Sequence, residues 1–170
     1  MTIPPETDRL IFRDWIAADL KPFHAICSDP AVMQFVGDGE LWSLRKTGQW
    51  IKHAQATFKA TGFCRWALAL KETSALIGFC GFIPVNDSAE IGWRLARDVW
   101  GRGLATEAAR TVLAHGFDVL GLQRVTALVQ SPNRPSIRVC EKLGMSLEST
   151  FLRNGRDVNV YSTNRRPELG

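Results

Sequence analysis

The chain has 170 residues, 45% hydrophobic and 22% charged, a balance read as one globular domain over 1–170 with enough apolar surface for a core. Twenty-one basic against 17 acidic side chains give a net charge of +4, too mild for a dedicated nucleic-acid binder and compatible with an anionic small ligand. The excess lies in residues 101–170, which carry ten basic and six acidic side chains, while 1–100 balance at eleven each.

Four scattered cysteines, Cys27, Cys64, Cys80 and Cys140, lack C-x-x-C spacing, and only three histidines accompany them. That pattern argues against a zinc site or a disulfide framework. No basic-then-apolar leader opens the chain, and no run approaches the ~18 apolar residues of a membrane span. A reduced, soluble, cytoplasmic protein, monomeric or homodimeric, is the expectation.

Residues 9–15 read as a first strand. Asp19 stands at a helix N-cap with Pro22 in the first turn, and Ser28-Asp29-Pro30 restarts a second short helix. Ser43 opens a longer helix with Leu44, Ile51, Ala54 and Phe58 at helical spacing, and Gly62 closes it. Three strand-like runs, 63–70, 76–85 and 89–95, are separated by short polar turns suited to antiparallel hairpins. A helix of about four turns follows over 104–120. Then come a β-branched strand at 123–130, a helix at 135–143, and a last hairpin, 145–151 with 157–163, around Asn154-Gly155. The sum is a mixed α/β (α+β) domain in which an antiparallel meander leads into a β-α-β-α-β half.

The sharpest local feature is Trp100-Gly101-Arg102-Gly103-Leu104-Ala105-Thr106-Glu107-Ala108, a glycine turn between strand and helix. Glycines permit positive φ and close backbone approach, and a helix start presents unpaired N–H groups at its positive end, so the segment is suited to cradle phosphate. It is not a Walker A loop, because Gly103 is followed by Leu104. Nor does it complete a dinucleotide fingerprint, because the third small residue is replaced by Thr106. A plain glycine turn before a helix stands as the alternative.

The neighbouring runs Ala89-Glu90-Ile91-Gly92-Trp93-Arg94-Leu95 and Asn133-Arg134-Pro135-Ser136-Ile137-Arg138-Val139-Cys140-Glu141-Lys142-Leu143-Gly144-Met145 sharpen this reading. With Thr7-Asp8-Arg9-Leu10, Asp29-Pro30-Ala31-Val32-Met33 and Tyr161-Ser162, they make the chain resemble the GNAT superfamily of acyl-CoA-dependent N-acetyltransferases, and within it the RimJ/RimL type that acts on ribosomal-protein N-termini. The resemblance implies a mixed, mostly antiparallel sheet flanked by helices and splayed between its fourth and fifth strands. Acetyl-CoA is the implied cosubstrate, wedged into the gap without a metal.

By resemblance, the backbone of Arg102, Gly103, Leu104, Ala105 and Thr106 binds the coenzyme pyrophosphate. Trp93 to Leu95 run alongside the pantetheine arm, and Asn133 and Ser136 touch it. Read from the residues alone, Asn133 is an N-cap with Pro135 in the first turn, a role compatible with ligand contact. Glu90 is the candidate general base, since amines are largely protonated at neutral pH and must lose a proton before attack. Its structural alternative is a surface carboxylate paired with Arg94, two positions beyond Gly92 on the same strand face. Trp100 reads as a packed or lid residue.

Cys140 departs from the family pattern, which places tyrosine there as the acid for the leaving thiolate. Ser136, water or no dedicated acid takes that role, and Cys140 reads as a buried small hydrophobe. Trp15, Phe35, Trp42, Trp50 and Trp66 read as core. The loop 36–42, with Asp38 and Glu40, is either an acceptor-site wall or a solvated loop. These readings converge on an enzyme moving acetyl from acetyl-CoA to a primary amine by direct attack, with a peptide or protein N-terminus as leading acceptor. Small amines (antibiotics, polyamines, amino-acid derivatives) and a non-catalytic acyl-CoA sensor are the alternatives. No membrane or direct nucleic-acid role is expected.

Overall fold

Seven of the apolar and β-branched runs join one sheet in a computed structural model that describes residues 2–86 and 88–165. They are β1 (Leu10–Arg13), β2 (Arg65–Leu70), β3 (Leu76–Val85), β4 (Ser88–Leu95), β5 (Arg124–Gln130), β6 (Ser146–Arg153) and β7 (Arg156–Asn164), in the order β1-β2-β3-β4-β5-β7-β6. β1 to β4 form an antiparallel meander, and β5, β7 and β6 form a second antiparallel block. The blocks meet only through a parallel pairing of two rungs, Ala89↔Val125 and Glu90↔Thr126. Beyond Glu90 the strands part, so the splay expected between the fourth and fifth strands is present.

Alternate strand residues bury opposite faces. On one face Trp66, Leu68, Cys80, Phe82, Ala89 and Ile91 pack with Ala108, Ala109 and Val112 of α4 (Leu104–Asp118) and with Ile137 and Cys140 of α5 (Arg134–Lys142). On the other, Ala67 and Phe79 pack with Phe23, Ile26 and Cys27 of α1 (Leu20–Cys27), Val32 and Met33 of α2 (Pro30–Met33), and Ile51 and Ala54 of α3 (Leu44–Thr61). Trp15, Phe23, Trp42, Trp50 and Phe79 form a continuous aromatic cluster on that second face, with centroids 4.8 to 6.4 Å apart.

Three local expectations change. β1 is four residues long rather than seven, because Trp15 leaves the ladder, buries its ring, and donates its indole N–H to the Arg65 carbonyl at 2.8 Å. Asp19 precedes α1 without capping it. Its carboxylate instead accepts the Ile16 N–H at 2.9 Å and both Arg13 Nη groups at 2.7 Å, and so closes the preceding single-turn 3₁₀ helix. Leu44 is 45% exposed, and the first turn of α3 buries Thr47 in its place, whose hydroxyl donates to the Ser43 carbonyl at 3.0 Å. The caps expected from Asp29, Ser43 and Gly62 are all in place.

Candidate active site

The parting of β4 and β5 opens two adjoining cavities that share Phe35, Val36, Trp93, Arg94, Asn133 and Ser136. The first, of about 440 Å³, runs along Trp93–Leu95 to Gly101, Gly103, Leu104, Ala105 and Thr106. Gly101 and Gly103 hold φ of +74° and +75°, a left-handed conformation that side-chain-bearing residues resist. Gly103 occupies the N-cap of α4 and offers no side chain to it, which leaves the N–H groups of the first turn to an outside acceptor. The turn is held from behind. Arg9 donates from Nη1 to the Arg102 carbonyl at 2.9 Å and from Nε to Glu107 at 2.7 Å, while the Thr7 hydroxyl donates to the other Glu107 oxygen at 2.6 Å.

At the far wall, Asn133 caps α5 by accepting the Ser136 N–H at 3.3 Å, and Ser136 borders both cavities. Arg138 borders the first cavity, whereas the side chains of Arg102 and Arg134 lie outside its lining. Trp100 is not a core residue. It is 47% exposed, with its indole N–H donated to the Leu95 carbonyl at 2.9 Å, because that bond holds the ring at the cavity rim. Cys140 is fully buried and burial pushes its thiol up to about 12, as expected of an inert small hydrophobe.

The second cavity, of about 380 Å³, lies on the α1–α3 side of the sheet around Glu90. The partner of Glu90 is Arg65 and not Arg94. Arg65 lies opposite Gly81, which lies opposite Gly92, and the arginine passes over both glycines to donate from Nη2 to Glu90 at 2.9 Å. A Cβ on Gly92 would stand 2.9 Å from that nitrogen, so the close approach requires glycine. Burial raises the Glu90 carboxyl above its ordinary range, with the Arg65 and Arg153 charges opposing the shift. Arg94 instead enters the aromatic cluster, its guanidinium carbon 4.4 Å from the centroid of Trp42.

The loop after α2 walls this cavity through Phe35, Val36 and Gly37, and the carboxylates of Asp38 and Glu40 do not border it. Its backbone is tied down by Gln130, which donates to the Gly37 carbonyl at 2.8 Å, and by Arg156, which donates to the Gln34 and Asp38 carbonyls at 2.9 and 2.6 Å. Reading along the sequence missed Arg65, Gln130, Arg153 and Arg156. The one local signal was Gly92, a glycine inside a strand that marks close approach by another group, here the Arg65 guanidinium.

Comparison with known proteins agrees with this geometry. The family described as Acetyltransferase (GNAT) domain matches residues 9–146. The chain is 32% identical to the N-acetyltransferase YoaA of Bacillus subtilis over 166 residues, 92% of this chain and 94% of the relative. A GNAT-family acetyltransferase structure from Bacillus anthracis superposes with a TM-score of 0.86 at 26% identity, covering 96% of this chain and 99% of the other. The fold is also that of RimL, a ribosomal L7/L12 alpha-N-protein acetyltransferase solved with coenzyme A, at TM-score 0.82 and 19% identity over 96% and 98% of the two chains.

Proposed function

The chain belongs to the GNAT acetyltransferase family and is an acetyl-CoA-dependent acyltransferase; from that premise we propose that it acetylates the α-amino group of a peptide or protein N-terminus, with Glu90 as the base. The observation that carries the reading is the gap after Glu90↔Thr126, flanked on one side by the Gly101–Thr106 turn and on the other by a mostly buried carboxylate. A strand edge without a partner offers backbone groups to an extended arm, and an uncapped helix start offers N–H groups to the pyrophosphate at its end. The residues fit coenzyme A on both counts.

Glu90 takes the proton from the acceptor ammonium, directly or through water, so that the neutral amine attacks the thioester carbonyl as the C–N bond forms and the C–S bond breaks. An N–H of Trp93 to Leu95 is the proposed donor to the developing oxyanion. The leaving thiolate has a pKa near 8.5 and needs little acid, and Ser136, which borders both cavities, is the proposed donor to it. Direct attack is favoured over an acetyl-cysteine because burial raises all four cysteine thiols and each is buried. The sharing of a fold with RimL supports an N-terminal acceptor, and a polycationic acceptor is disfavoured by the arginines that line the second cavity.

Thiol release from acetyl-CoA across N-terminal peptides and small amines tests the reading. Release that requires a free N-terminus is expected. No release, together with a melting temperature unmoved by saturating acetyl-CoA, would overturn it.

A further inference from the structure

Arg94 is a buried cation that the acetyl-transfer scheme leaves unused. It is 8% exposed, and its Nη1 donates to the Cys27 sulfur at 3.1 Å, a weak acceptor. Its Nε is buried without a hydrogen-bond partner, as is that of Arg65. Trp42, Phe79 and Phe23 surround the guanidinium at 4.4, 5.4 and 5.9 Å. Aromatic faces attract the charge but accept none of its N–H groups in the ordinary way. Among the described residues no carboxylate forms an ion pair with Arg94.

The charge around the second cavity is correspondingly one-sided. Arg65, Arg94 and Arg153 border it and, among the described residues, Glu90 is the one carboxylate that does. An arginine keeps its charge when buried, so this cavity stays cationic even when Glu90 is ionised. Glu90 and Arg94 lie on one face of β4, four residues and so about 13 Å apart at Cα, with Arg65 near enough to both to feel their charges.

We propose that Arg94, assisted by Arg65, forms an anion subsite that receives a carboxylate carried by the acceptor, while the amine of the same acceptor lies at Glu90. The guanidinium fork matches a carboxylate in shape and supplies the paired N–H groups that the aromatic cage does not satisfy. The acceptor class is therefore an amine with a carboxylate several bonds away. Its source is either a peptide N-terminus with an acidic side chain in its first residues or a free amino acid. This inference rests on the acetyltransferase reading and narrows it.

Matched acceptors differing only in the carboxylate provide the test: peptides beginning Ala-Glu and Ala-Gln, and 5-aminopentanoate with its amide. Thiol release should favour the acid of a pair by ~30-fold or more in kcat/KM. Preference within the peptide pair alone identifies a peptide acceptor, and within the 5-aminopentanoate pair alone a small one. In Arg94→Met the ratio should fall toward unity and in Arg94→Lys recover in part, with the acetyl-CoA melting shift reporting that each variant is folded. Equal use of acid and amide by the wild-type protein would overturn the subsite and leave the acetyltransferase reading standing.

A titration of tryptophan emission, to which Trp42 contributes, decides the matter without turnover. Carried out on wild-type protein loaded with coenzyme A, with both matched pairs, it should respond to the Ala-Glu peptide or to 5-aminopentanoate and far less to the corresponding amide. Should no acceptor release thiol, this titration still separates the two claims. A carboxylate-dependent response would support the subsite, and its absence would overturn it.

Discussion

The two sides of the splayed sheet are built on different principles. On the proposed coenzyme side the groups are mostly backbone ones, presented by the left-handed turn and helix start over Gly101 to Thr106 and by the free edge of β4 at Trp93 to Leu95. On the proposed acceptor side they are side chains brought together from β2, β4 and the ends of β5 and β6. Backbone recognition tolerates most side-chain changes but not a change in φ. Side-chain recognition is the reverse, since each group can be deleted singly while the backbone stays in place. The two sides should therefore fail in different ways.

The largest effect is expected from Gly103→Glu, which forces a side chain onto φ of +75° and puts negative charge in the cradle. It should abolish the acetyl-CoA melting shift, and a retained shift would move the cradle elsewhere. Glu90→Gln should leave that shift in place and lower kcat by about 100-fold or more. Because burial raises the Glu90 carboxyl, the wild-type rate should fall as pH drops through a value above the ordinary carboxylate range. The variant should lack that acid limb, so identical profiles would exclude Glu90 as the base.

Gly92→Ala brings a methyl group to 2.9 Å from Arg65 Nη2. The flexible guanidinium can withdraw, so the fold should survive while the bond to Glu90 is lost. With Arg65 no longer lowering the carboxyl, the acid limb should move to higher pH and the rate should drop several-fold, as a pH–rate profile would record. Arg9→Ala gives the smallest effect. It removes the bonds behind the turn, to the Arg102 carbonyl and Glu107, but the pair is partly exposed, and such pairs contribute ~0–1 kcal/mol. Acetyl-CoA affinity by calorimetry should weaken by at most about fivefold, with kcat unchanged.

The helix caps at Asp29, Ser43 and Gly62, the hairpin strands and the glycine turn were legible along the chain because each is set by neighbours within a few residues. Asp19 was misplaced by one element since its carboxylate answers to Arg13, six residues away, rather than to the helix that follows. Glu90 was singled out as the candidate base, and the partner expected for it as a structural carboxylate, Arg94, is replaced by Arg65. Residues on one strand face stay ~7 Å apart at each step, whereas an arginine two strands away reaches the carboxylate across two glycines. Trp100 was read as a packed or lid residue, and its indole bond to Leu95 places it at the cavity rim rather than in the core.

The sequence by itself determined the family, the order of the elements and the glycine turn before α4, since backbone conformation and helix starts depend on local residues. Only the tertiary structure decided what surrounds Glu90 and Arg94. The pairing of Arg65 with Glu90, the burial of Arg94 among Phe23, Trp42 and Phe79, and the anchoring of the 37–38 loop by Gln130 and Arg156 all join residues 15 to 118 positions apart. Strand register sets such meetings, and register is a property of the assembled sheet rather than of any one segment.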